Sequence, residues 1–288
     1  MRQQAGPGII GRSGPQERLE QSRLASTMGS RSTVLVSGEA GIGKTSLIRA
    51  TMDGAAELST LVGWGTCWSG GGAPGFWPWM QALDDLAHAI GRDAAIAAAG
   101  DDRGRLAALI RELGPVSEST EDPDRQRFLL LDAAVRWLEN ISAHQHVAIV
   151  LDDLQWADAS TLDLLDHLVA APADARLLIL AAYRHDELDH ETRTRLTTLG
   201  SHTDHIHLEG LALEDVEELA TSICGPELAK TLARDLHSRS GGHPLFVREL
   251  AKLSEAGSGG ELPTAITGAL TRRLEALPAQ CRRILDAA

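Results

Sequence analysis

The tightest constraint on this chain is the apolar run Thr33-Val-Leu-Val-Ser37, which passes straight into Gly38-Glu39-Ala40-Gly41-Ile42-Gly43-Lys44-Thr45-Ser46. The run reads as a strand, and the residues from Gly43 to about Met52 read as a helix. Between them stands Gly-x-x-x-x-Gly-Lys-Thr, the spacing of a loop that cradles phosphate. Each residue type has a physical reason. The glycines let the backbone turn tightly and aim N–H groups at anionic oxygens. The helix beginning near Gly43 adds the positive end of its dipole. Lys44 places a point charge for the β- and γ-phosphates, and Thr45 offers a hydroxyl to Mg²⁺. A strand before and a helix after are the context this motif requires. The nine residues from Gly38 to Ser46 are therefore the candidate phosphate-binding set.

The remaining pattern alternates. Residues 60–66 read as a second strand, His146 to Leu151 as a fully apolar one, and Arg176 to Tyr183 as another, with a short strand at 205–209. Helical patterns fill about 78–91, 94–113, 124–142, 160–169 and 190–199. Strands separated by helices predict a parallel sheet with helices on both faces. The apolar strand at 146–151 ends in Asp152-Asp153, which delivers carboxylates to the sheet edge where ligands bind. Asp152 is the candidate Mg²⁺ holder. Asp153 reads either as the group that orients or deprotonates an attacking water, or as a helix N-cap. Arg184, at the end of the neighbouring strand, is placed to sense a γ-phosphate.

Composition narrows the class. Net charge is 27 − 40 = −13, which argues against a surface that is mostly a nucleic-acid footprint. The three cysteines, Cys67, Cys224 and Cys281, stand far apart and read as reduced thiols. No apolar run approaches the roughly 20 residues that cross a bilayer, and the first residues lack a signal-peptide core. A cytoplasmic protein with no membrane contact is expected. His202, His205 and His207 have weak metal spacing and read as solvated or satisfied histidines. The Trp64–Trp79 segment holds four of six tryptophans but no Lys or Arg, so it reads as a loop over the sheet edge or an inter-subunit or inducer contact. The acids Glu209, Glu214, Asp215, Glu217 and Glu218 read as a solvated helix face, and Trp156 as packed.

The pattern changes after Gly210, where helices at about 213–222, 226–239 and 244–255 follow without strands. The expected organisation is an N-terminal flank at 1–30, a core at 31–209, a helical lid at 210–255 and a flexible linker at 256–261. Two helical patterns begin at Leu262, and the second is still running at Ala288, so that module is expected to continue.

The run Leu151-Asp-Asp-Leu-Gln-Trp-Ala-Asp158 resembles the second acidic motif of the signal-transduction ATPases with numerous domains (STAND), a branch of AAA-like P-loop ATPases. Within it the chain resembles the ATPase domain of large LuxR-type bacterial transcription regulators. Ile9-Ile-Gly-Arg12, Gly72-Ala-Pro-Gly-Phe-Trp-Pro-Trp79, Ala181-Ala-Tyr-Arg184 and Gly241-Gly-His243-Pro244-Leu-Phe-Val-Arg-Glu-Leu250 agree with it. The resemblance implies the three-layer αβα P-loop NTPase fold with a parallel five-stranded sheet in the order 5-1-4-3-2, then the helical lid and, at 262–288, the start of a winged helix. It places Arg12, His243 and Pro244 beside the adenine and makes Arg184 the sensor-1 arginine. Two departures stand out: Ser13 and Pro15 fill slots where the family usually has glutamates, and no sensor-2 arginine precedes the lid helix.

The implied function is an ATP/ADP-binding switch with slow hydrolysis. An inducer or regulatory protein would set it, a homo-oligomer would form on activation, and DNA would be bound only through a C-terminal domain beyond residue 288. A motor-like AAA+ ATPase of the origin-binding or loader type and a non-catalytic nucleotide-binding scaffold are the alternatives.

Overall fold

The computed structural model describes residues 9–56, 59–117, 122–171, 174–201 and 203–255. The expected linker at 256–261, the winged-helix start at 262–288 and His202 lie outside the described residues. Five strands run in the sheet order β2-β3-β4-β1-β5: β1 Ser32–Gly38, β2 Leu61–Thr66, β3 Val147–Asp152, β4 Leu177–Tyr183 and β5 Asp204–Leu208. Read from the other edge, this is 5-1-4-3-2. The sheet and its helices form a P-loop NTPase-like α/β fold. The register pairs Ser37 with Tyr183, Leu151 with Ala181 and Thr66 with Asp152. The carboxyl ends of β1, β3 and β4 therefore open on one edge, which sets where the acids and Arg184 emerge.

Every residue of β3 and β4 is buried. Val147, Ile149, Leu151, Leu177, Ile179 and Ala181 join one core with residues of α3 (Trp77–Ile90), α6 (Pro123–Ser142) and α7 (Ala159–Ala170). The alternating set Ala148, Val150, Leu178, Leu180 and Ala182 is fully buried as well. Covering both faces is why these strands read as unbroken apolar runs. At the β2 edge, a Cβ on Gly63 or Gly65 would overlap the backbone carbonyl of Ala82 or Pro78. Glycine here lets α3 lie directly on the strand. Trp79 of α3 is fully buried and its indole N–H donates to the Thr161 carbonyl (2.9 Å), whereas Trp68 is 59% exposed.

Two elements differ from expectation. The helix expected over 94–113 is broken into α4 (Arg92–Ala99), the four-residue α5 (Arg103–Leu106) and two 3₁₀ turns. Gly100 (φ 51°) and Gly114 (φ 100°) bound that interrupted stretch with left-handed backbone. An additional helix, α1 (Ser13–Thr27), lacks an apolar stripe: its buried residues are Leu19, Ser22, Arg23 and Ser26. A face satisfied by hydrogen bonds leaves no hydrophobic period to read.

The chain divides into two compact units. Gly14–Ser37 and Thr45–His207 form the first; Gly38–Lys44 groups with residues 9–13 and 208–255 in the second. In the second unit, α9 (Leu213–Cys224), α10 (Pro226–Ser240) and α11 (Pro244–Glu255) share a core of Leu211, Val216, Leu219, Leu236, Val247 and Leu250, with Ile10 packed against it. α2 spans Lys44–Ala56 and α8 spans His190–Gly200. Among the described residues no helix is long and apolar enough to cross a membrane.

At the amino end of β3, His146 ties three elements together. Ser26 Oγ donates to the Arg23 carbonyl (2.7 Å), so the imidazole Nε2 must donate to Ser26 Oγ (2.8 Å). The Thr60 hydroxyl then donates to Nδ1 (3.0 Å). Burial, with the charges of Arg23 and Arg176, pushes the imidazole down to about 4. A depressed histidine binds its proton more readily in the unfolded chain, so stability is lost as pH falls from the unfolded value of about 6.5 towards 4. Urea denaturation across that window should show a shallower acid slope for His146→Gln than for the wild type.

Candidate functional site

Within the second unit the loop Gly38–Lys44 turns its carbonyls toward side-chain and backbone donors. Lys44 Nζ donates to the Gly38 carbonyl (2.8 Å) and the Glu39 carbonyl (2.9 Å), and the Ile42 N–H also reaches the Glu39 carbonyl (3.3 Å). His243 Nε2 bonds the Ala40 carbonyl (2.9 Å) and Arg12 Nη2 the Ile42 carbonyl (3.0 Å). A carbonyl only accepts, so Nε2 of His243 carries the proton. Its Nδ1 is buried with no hydrogen-bond partner. Burial pushes this imidazole below its ordinary value, aided by the charges of Lys44 and Arg12 and opposed by the Ala40 carbonyl.

Gly41 (φ 79°) and Gly43 (φ 108°) adopt left-handed backbone, and a Cβ on Gly41 would press on Leu245 and His243. Pro244 opens α11, where its missing N–H costs no helical bond. Arg12 is buried, which lowers its pKa, while the charge of Asp215 raises it. Asp215, read from sequence as part of a solvated face, thus acts on Arg12 from the first turn of α9. Arg12 and His243, which the resemblance places beside an adenine, both bond the loop backbone here.

In the first unit, α2 brings Thr45 Oγ1 to Asp152 Oδ2 (2.8 Å). The Asp153 N–H donates to Asp152 Oδ1 (2.9 Å). Two hard oxygen donors meet here, from the helix after the loop and from the end of β3, which suits a small divalent cation. Asp153 stands at the head of a 3₁₀ turn, Leu154–Trp156, in left-handed backbone (φ 58°, ψ 41°), and its side chain caps nothing. Asp158 is the capping residue instead, accepting from the Ser160 N–H (2.9 Å) at the start of α7. Asp153 Oδ1 is held by Gln155 Nε2 (2.8 Å) and lies 3.5 Å from Arg184 Nη2.

Arg184 emerges from β4 between two acids: its Nη1 donates to both carboxylate oxygens of Glu187 (2.8 and 3.0 Å). Its guanidinium carbon lies 4.9 Å from the ring centre of Trp156, so that indole, read as a packed residue, is a cation–π face at 36% exposure. The Cys67 thiol is pushed up to about 12 by burial and by Asp158, Asp153 and Asp152, and stays protonated. His205 and His207 of β5 bond the Tyr183 hydroxyl (3.0 Å) and Ser37 Oγ (2.9 Å).

Two residues of these clusters, Gln155 and Glu187, carried no reading in the sequence, and Asp215 was read only as part of a solvated helix face. Gln155 is buried and bridges two strand ends, because its Oε1 also accepts from the Arg184 N–H (3.1 Å). A buried amide inside an otherwise apolar turn was the one available signal. Gln155→Leu keeps the volume and strands both partners; urea unfolding should report a loss of about 1–3 kcal/mol.

A family model described as AAA ATPase domain matches residues 9–180. An uncharacterized protein of Rhizobium meliloti (strain 1021) is 27% identical over 241 residues, covering 78% of this chain and 23% of that protein. Among solved structures, a STAND protein with a tetratricopeptide repeat sensor from Pyrococcus horikoshii superposes with TM-score 0.53 and 15% identity over 95% of this chain and 34% of the other. The ORC2 protein of Aeropyrum pernix, solved with ADPNP and ADP, gives TM-score 0.54 and 15% identity over 94% and 72%. At that identity the structures share the fold. The chain spans about a quarter of the Rhizobium protein and a third of the Pyrococcus one.

Proposed function

The chain belongs to the AAA ATPase domain family, and from that premise we propose that it is an ATP/ADP-binding signalling switch with slow hydrolysis, the ATPase domain of a multidomain transcription regulator. The observation that supports a switch above all is the His243 Nε2 bond to the Ala40 carbonyl (2.9 Å), which makes the loop for phosphate and the lid helix one mechanical piece. Phosphate would meet the N–H groups of the loop, Lys44 and the start of α2. Thr45 and Asp152 fit Mg²⁺, which when bound neutralises charge on the β- and γ-oxygens. Asp153 would orient the attacking water, and Arg184 would report the γ-phosphate. Slow turnover follows from their present engagements: Asp153 Oδ1 is taken by Gln155 and Arg184, and Arg184 by Glu187. An inducer or regulatory protein, activation by homo-oligomerisation and DNA contact through a further domain belong to the same reading.

The decisive measurement is the nucleotide carried through purification, together with the turnover rate. Retained ADP and turnover well below the roughly 1–10³ s⁻¹ of typical enzymes are expected. Fast hydrolysis stimulated by self-association would support a motor instead. Lys44→Ala should abolish binding, and tight ATP binding by that variant would refute the site. Asp152→Asn should weaken binding only when Mg²⁺ is present.

A further inference from the structure

We propose that Arg12 and His243 are positioning residues that act on phosphate through the loop backbone rather than by touching the nucleotide; this rests on the nucleotide-binding reading above. Among the described residues there are no cis peptide bonds. In a trans peptide the C=O and the following N–H point in opposite directions. His243 draws the Ala40 carbonyl to itself (2.9 Å), so the Gly41 N–H faces the other way. Arg12 draws the Ile42 carbonyl (3.0 Å), so the Gly43 N–H faces away from Arg12. The N–H between them, on Ile42, is already bonded inside the loop to the Glu39 carbonyl (3.3 Å). The two clamps therefore decide the direction of alternate donors in the loop.

The clamps matter because the peptides they hold are soft. Gly41 and Gly43 adopt positive φ and have no Cβ, so each adjoining peptide can rotate at little steric cost. A rotated unit would present a carbonyl to an anion where an N–H is needed. Both clamps are anchored in the helical unit: His243 directly precedes α11, and Arg12 follows Ile10, which packs on the helical core, and feels the charge of Asp215 on α9. The imidazole also leaves Nδ1 buried without a partner while making its one bond to the loop. The helical lid thus sets the donor geometry of the loop at two peptide groups.

The test compares binding of ADP with binding of inorganic pyrophosphate, which has no base, both measured by displacement of a fluorescent ADP analogue. His243→Phe and Arg12→Met should weaken both ligands by the same factor, about tenfold for one lost hydrogen-bonded clamp. His243→Gln, which keeps an N–H donor, should recover most of that loss. Asp215→Asn removes a negative charge, so simple electrostatics tightens pyrophosphate; a released Arg12 weakens it, and weakening is the expected result. That half-buried, isosteric change keeps the test decisive if His243→Phe does not fold. A loss confined to ADP, with pyrophosphate unchanged, would mean contact with the base and overturn the proposal, as would tighter pyrophosphate in Asp215→Asn. Wild-type protein that binds neither ligand would instead sink the nucleotide reading itself.

Discussion

A backbone loop can receive an anion only if its carbonyls are turned elsewhere, and the rest of this structure depends on that condition. Each peptide carries a donor and an acceptor of similar strength, so a bare loop is as ready to repel phosphate as to bind it. Here the carbonyls of Gly38, Glu39, Ala40 and Ile42 are bonded by Lys44, His243 and Arg12. The loop's own lysine serves two of them. The other two are served by side chains from residue 12 and residue 243, brought in by the fold of the helical unit. The family motif supplies glycines that permit the geometry, and distant residues select it.

The acid end in the first unit follows a related logic with charges. Asp152 and Thr45 meet as two hard oxygens, while Asp153, Gln155, Arg184 and Glu187 form a chain in which an arginine stands between two carboxylates. Arg184 is therefore already satisfied. Any further anion would have to compete with Glu187 and Asp153 for it. Trp156 holds the guanidinium plane from one side without adding charge. Gln155 keeps the ends of β3 and β4 in step, since one amide serves Asp153 and the backbone of Arg184 at once.

Much of the fold was legible in order. β3 and β4 are buried on both faces, so their apolar runs had no polar interruption to obscure them. The alternation of strands and helices then left little choice of architecture. The misreadings have physical causes. α1 buries serines and an arginine, which removes the period that identifies a helix. The stretch at 94–113 carries enough apolar residues for one helix, but glycines at 100 and 114 accommodate the turns that break it. Asp215 looked like one acid among five on a helix start, and only its nearness to Arg12 in space sets it apart.

By itself the sequence determined the strand, the loop that carries Gly38, Gly41, Gly43, Lys44 and Thr45, and the carboxylates at the end of a buried strand. Those are local matters: residue type, spacing of a few positions and hydrophobic period decide them. Only the tertiary structure decided which groups hold the loop's carbonyls, which acids flank Arg184 and that Asp153 caps nothing. These depend on pairs separated by as many as 203 positions, as His243 and Ala40 are. A hydrogen bond requires an approach of about 3 Å and a direction, and no local pattern in a chain encodes the distance between residues so far apart.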